Sequence, residues 1–143
     1  MHHFIFPKQD TWISSGSNVD TTNISERDQN FGKDQILEIK NFFYNNLFNH
    51  QTKALVDFNG TDFTSLSQSI HSGKISRPLS SKFYLRLFEA EGNSKLSEDY
   101  SLKIEPISQS WVEGTGKSGD NPKNTNGCSW ENRSNPINGN ALT

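Results

Sequence analysis

A chain of 143 residues carrying 14 basic and 16 acidic side chains is the size of one domain with a near-neutral balance. No Lys/Arg cluster interrupts that balance, which excludes a basic nucleic-acid-binding face, and a single cysteine, Cys128, excludes an internal disulfide and a Cys-based zinc cage. The hydrophobic share is only 31%, with 16 Asn and 19 Ser, yet aromatics reach 11%, which favours a β-rich domain with long polar loops over disorder.

In chain order, the start Met1 to Lys8 holds a three-residue apolar run before Pro7, which predicts neither a signal peptide nor a membrane span. His2 and His3 lack a further ligand nearby in sequence and read as solvent-exposed. "FIFPKQDTWISSGS" predicts a bent edge strand, because Pro7 is tolerated only at an edge or a kink. Residues 15–34 are polar, with two aliphatic residues and one aromatic, and read as loop. "QILEIKNFF" alternates as a half-buried strand, and "TKALVDF" (52–58) reads as a more apolar, central one.

After Asn59-Gly60 the period changes. Phe63, Leu66 and Ile70 recur at three and four, which predicts a short helix with Thr61 or Asp62 as N-cap and Gly73 as its stop. His71 falls at the end of this helix and reads as exposed. "SKFYLRLFEAE" (81–91) and "DYSLKIEPIS" (99–108) return to period two and predict two further strands. A short "CSWEN" strand around Trp130 follows a Gly/Asn/Pro-rich loop. About six strands and one helix, with no repeating helical connection, predict an all-β antiparallel sandwich or jelly roll with long polar loops.

The loop holds the string Gly114-Thr115-Gly116-Lys117-Ser118, which resembles the end of a phosphate loop. Such a loop needs glycine at position 111 and a helix afterwards to aim N–H groups at phosphate. Position 111 is Trp111, and "GDNPKNTNG" cannot start a helix. Gly-x-Ser-x-Gly and His-Glu-x-x-His are absent from the sequence. The carboxylates Glu89, Glu91, Glu98, Asp99, Glu105 and Glu113 read as strand-face and turn residues rather than a glycosidase pair. Asp120 with Asn121, Asn124 and Asn126 offers one carboxylate among amides, a solvated loop before a calcium site. No catalytic residue, cofactor or metal is expected.

Six segments in order carry a resemblance: "DTWISSGS", "NFGKDQILEI", "TKALVDFN", "KFYLRLFEAE", "YSLKIEPISQSWVEGTG" and "GCSWENR". Together they resemble the DNRLRE-type β-sandwich domains, which are related to carbohydrate-binding modules. More narrowly, they are similar to virion proteins of contractile-tailed bacteriophages, especially cyanophages. The resemblance spans residues 4 to 133 and implies a non-enzymatic structural protein of the neck, tail or capsid. It implies docking on other virion subunits, as a homo-oligomeric ring or in many copies, with no nucleic acid or membrane as partner and the assembled virion as its location. Domains of this type usually continue past the last Trp with further strands. A single domain over 1–143 is therefore expected to be truncated or to be completed by a partner chain.

Trp111, Glu113, Gly114 and Trp130 form the structural signature. Trp111 is expected to cap the core, Glu113 to accept backbone N–H bonds, and Gly114 and Gly116 to supply positive φ. The competing reading is a carbohydrate-binding module that contacts host polysaccharide through exposed Trp12 and Trp111.

Overall fold

The computed structural model describes residues 3–18, 24–44, 48–76, 82–88, 90 and 101–134. The chain divides into two compact units, one made of Met1–Phe58 with Ile107–Thr143 and the other of Asn59–Pro106.

The first unit is organised by a three-stranded antiparallel sheet in the order β1-β5-β4. Strand β1 spans Pro7–Ser14, β4 spans Asn41–Tyr44 and β5 spans Phe48–Phe58. A two-residue ladder joins β2 (Ser17–Asn18) to β3 (Ile24–Ser25). In the main register Trp12 faces Ala54, Ile13 faces Lys53 and Ser14 faces Thr52, with an irregularity between Pro7 and Gln9. That irregularity sits where proline withdraws its N–H from the ladder. Strand β5, the apolar one, is central, and Tyr44 faces Phe48 across the β4–β5 hairpin.

Thr11, Trp12, Ile13 and Ser14 are all buried, so β1 is covered on both faces although it lies at the sheet edge. Because side chains alternate along a strand, Thr11 and Ile13 share one face and Trp12 and Ser14 the other. Ile13 packs with Leu55, Trp111 and Cys128, and Trp130 packs partly against them. On the other face Trp12 stacks on Phe31. Residues 26–34 thus cover one side of β1 and residues 111–130 the other.

Among the described residues of the second unit the regular element is helix α1, Gly60–His71. Its cap is Asn59, whose side chain accepts the Thr61 N–H at 3.1 Å, two residues ahead of Thr61 and three ahead of Asp62, the caps that the sequence suggested. Ser72 closes the far end and Gly73 follows at φ +76°, the left-handed conformation that stops a helix. The helix buries none of its residues. Its hydroxyls bond back along it, Thr64 to the Gly60 carbonyl and Ser69 to that of Ser65.

The expected all-β sandwich or jelly roll is not what the chain forms. The described residues hold one three-stranded sheet, a two-residue ladder and a helix, which is too little sheet for a jelly roll and is not plainly all-β. Residues 82–88 and 101–108, read as two strands, carry no strand and are exposed, and the rest of those two segments lies outside the described residues, apart from Ala90. The "CSWEN" segment is loop, and of "QILEIKNFF" only Asn41 onward joins the sheet. Period-two alternation records which side chains could share a face. It does not supply the partner strand that a ladder needs.

Candidate functional site

The loops that cover β1 are stitched together by one buried amide. Asn30 Nδ2 donates to the carbonyls of Glu113 (2.7 Å) and Cys128 (2.8 Å). Its Oδ1 accepts the N–H of Gly32 (3.1 Å) and of Gly116 (2.8 Å). A primary amide has two donors and two lone pairs, so every capacity of this side chain is used, and it is fully buried. Its own N–H donates to the Asn124 carbonyl at 2.8 Å. Asn30 therefore joins three stretches that lie 83 to 98 residues away in sequence.

This stitching requires backbone to lie against backbone. Gly114 has φ +82°, and a Cβ there would collide with the Asn126 carbonyl oxygen. At Gly116 the need for glycine is close approach rather than φ, because a Cβ would run into the Asn30 carbonyl. The expectation of positive φ is thus met at Gly114; at Gly116 the constraint has a different physical source.

Glu113 does not brace its own turn. Its Oε1 accepts the Asp10 N–H at 3.2 Å on β1, which among the described residues has no strand on its outer side. Gln9 adds a bond from Nε2 to the Trp111 carbonyl at 3.4 Å. Polar side chains thereby finish an edge that would otherwise invite another strand. Cys128 N–H donates to Val112 O at 2.7 Å, and Val112 N–H to Arg133 O at 2.9 Å.

Trp12 and Trp111 are 4% and 7% exposed. The Trp12 ring lies 3.7 Å from Phe31, nearly parallel, and its indole N–H donates to Asp34 Oδ2 at 2.9 Å. Neither ring offers an open face to a sugar in this structure. Trp130 is half-buried, with the Lys53 ammonium 4.9 Å from its ring centre.

The string that resembles a phosphate loop spends its N–H groups on acceptors of the protein itself. Gly116 N–H goes to Asn30, Lys117 N–H to Asp120 Oδ2 at 2.9 Å, and Ser118 N–H to the Asp34 carboxylate at 3.0 and 3.2 Å. These donors meet the protein's own carboxylates and amide, and among the described residues no helix follows. Asp34 takes both the Trp12 indole and Ser118, so it ties the loop to β1. In the Asn-rich turn, Asp120 and Asn124 spend oxygens on backbone N–H groups, and Asn124 and Asn126 donate to the Thr115 hydroxyl. Among the described residues no group of three His, Cys, Asp or Glu side chains is placed to hold a metal ion.

A second polar cluster joins Ser14, Glu26 and His50. Ser14 Oγ donates to Glu26 Oε2 at 2.7 Å, accepts the Gly16 N–H at 3.1 Å and lies 2.8 Å from His50 Nε2. With its one proton given to the carboxylate, the hydroxyl accepts from an Nε2–H tautomer of the imidazole. A nucleophilic triad places the carboxylate on the other ring nitrogen and leaves the hydroxyl reachable. Here Glu26 lies 3.5 Å from the same Nε2, and Ser14 is wholly buried. The arrangement is built to hold β1, β5 and the 26–34 loop together.

Of the remaining candidates, Cys128 is buried, and burial pushes its thiol up from 9.0 to about 12. Its backbone hydrogen bond lowers that value a little and the Glu113 charge raises it again. His3 and His71 are exposed, while Glu105 lies 2.6 Å from the Lys103 ammonium. Glu89, Glu91, Glu98, Asp99 and His2 lie outside the described residues. Sequence reading missed Asn30, Phe31 and Asp34 as organising residues. The signal was present as one aromatic and an Asn-x-Gly turn inside an otherwise polar stretch.

Compared with known proteins, the chain matches no family model, no curated protein and no solved structure.

Proposed function

We propose that this chain is a non-enzymatic structural protein of a contractile-tailed bacteriophage virion, docking on other subunits at the neck, tail or capsid. What supports the reading is that several of the short segments that carry the resemblance, though not 82–91 or 100–106, come together in the first unit. "DTWISSGS" supplies β1, "NFGKD" supplies Asn30, Phe31 and Asp34, and "SWVEGTG" with "GCSW" supplies the carbonyls and N–H groups that Asn30 binds. Residues far apart in sequence are thus spent on one another, as in a rigid scaffold that presents surface rather than a reactive cleft. Among the described residues no helix is long and apolar enough to cross a membrane.

The reading is tested by mass spectrometry of gradient-purified virions of the phage that encodes the chain. Peptides of this protein at fixed stoichiometry with the other virion components are expected. Their absence from intact particles, with abundant protein in the infected lysate, overturns the proposal.

A further inference from the structure

Residues 82–88 run without helix or strand, and every one of them is exposed. No backbone hydrogen bond joins them to any described residue. Phe83, Tyr84 and Phe88 are 78%, 81% and 80% exposed, so even the large side chains leave the main chain uncovered. An endoprotease takes its substrate as an extended strand, pairing with main-chain N–H and C=O groups and reading alternate side chains. A stretch whose groups are already spent in a ladder or a helix must open first, and its cutting tracks that opening. Residues 82–88 need no such opening. The run Phe83-Tyr84-Leu85-Arg86-Leu87-Phe88 sets apolar residues on both sides of one cation, with no acid and no proline among them.

We propose that the Arg86–Leu87 bond is a cleavage site for a serine endoprotease whose specificity pocket holds a carboxylate. The protease's serine hydroxyl adds to the Arg86 carbonyl carbon, the C–N bond to Leu87 breaks, and Leu87 leaves as an amine. Water then releases Arg86 as a carboxylate, so one water is consumed and nothing is oxidised or reduced. The Arg86 guanidinium rests over the Phe88 ring at 5.2 Å, an exposed contact that a pocket carboxylate displaces. Cations elsewhere are held differently. Lys74 is followed by Ile75, whose N–H donates to the Ser69 carbonyl at 3.0 Å. In the first unit, the backbone groups of Lys33, Lys40 and Lys117 are bonded to Gly116, Thr52 and Asp120. Lys103 is exposed, but its ammonium already lies 2.6 Å from the Glu105 carboxylate. Cleavage here does not depend on the virion reading.

Limiting trypsin on the full folded chain tests it, with the fragments weighed by mass spectrometry over time. The first pair to appear is expected to be 1–86 and 87–143, with bonds in the first unit breaking at least about a hundredfold more slowly. Arg86→Gln removes the cation that the pocket reads and is expected to delay the 87–143 fragment at least about a hundredfold. Leu87→Pro keeps the cation, removes the N–H beyond the bond, and is expected to block the same cut. In urea strong enough to unfold the chain the preference for Arg86 is expected to vanish, because every basic site is then open. A first cut at any other bond, an 87–143 fragment that appears as fast from Arg86→Gln, or a preference that survives unfolding unchanged overturns the inference.

Discussion

The two units invert each other. The first buries Thr11, Ser14, Asn30 and Ser129 while its apolar core is only a handful of side chains; the second exposes Phe83, Tyr84 and Phe88 to water. The contrast teaches how a chain with a 31% hydrophobic share holds together. In the first unit satisfied polar groups specify the packing around a small apolar core; the second, with much the same share of apolar residues, leaves its large ones in water. Buried polar groups work this way only when each donor and acceptor is matched, because an orphan costs about 1–3 kcal/mol.

The contrast breaks first at Asn30. Asn30→Ala orphans two carbonyls and two N–H groups at once, and a loss of about 3–5 kcal/mol in unfolding free energy is expected by denaturant titration. A loss under about 1 kcal/mol would show that water replaces the amide and that the hub is not what organises the loops. Gly114→Ala adds a Cβ at positive φ and against the Asn126 carbonyl, and about 2–4 kcal/mol is expected. Helix α1, in the other unit, should keep its circular dichroism in both variants if the units are independent.

A gentler probe is the buried thiol. The folded thiol keeps its proton up to about 12, whereas the unfolded one loses it near 9.0. Its stabilising effect is therefore whole below pH 9 and is lost as pH rises from there toward 12. Between pH 8 and 10 the wild type should lose about 1 kcal/mol more than Cys128→Ala does. Parallel pH curves for the two proteins would remove the thiol from the account. The smallest effect belongs to the second unit: Asn59→Ala removes an exposed cap and should cost α1 about 0.5–1 kcal/mol, visible as lower helicity, with the first unit's melt unmoved.

How much of this was legible in the sequence differs by residue. Strand β5 was, because Ala54 to Phe58 is apolar enough to be central; helix α1 was, because Phe63, Leu66 and Ile70 keep its period. The cap moved to Asn59 because a free side-chain oxygen, not position in the pattern, decides which residue closes a helix. Within those two predicted strands, residues 82–88 and 101–108 misled because alternation is a property of one strand and pairing a property of two. Asn30 was hidden for a related reason. Hydropathy scores an amide as surface, and only the distant carbonyls of Glu113 and Cys128 make it interior.

The first unit is assembled from two lengths of chain, 1–58 and 107–143, with the whole second unit strung between them. Its crosslinks are all non-covalent, so nothing but that intervening stretch tethers Asn30's loop to the carbonyls it holds. Closing so long a loop costs entropy that grows only slowly with its length, which makes the stretch between tolerant of insertion. It also means that a single protease cut there need not undo the clamp. The two pieces would remain one folded object, as the halves of a split protein do, and would separate only on dilution or denaturation.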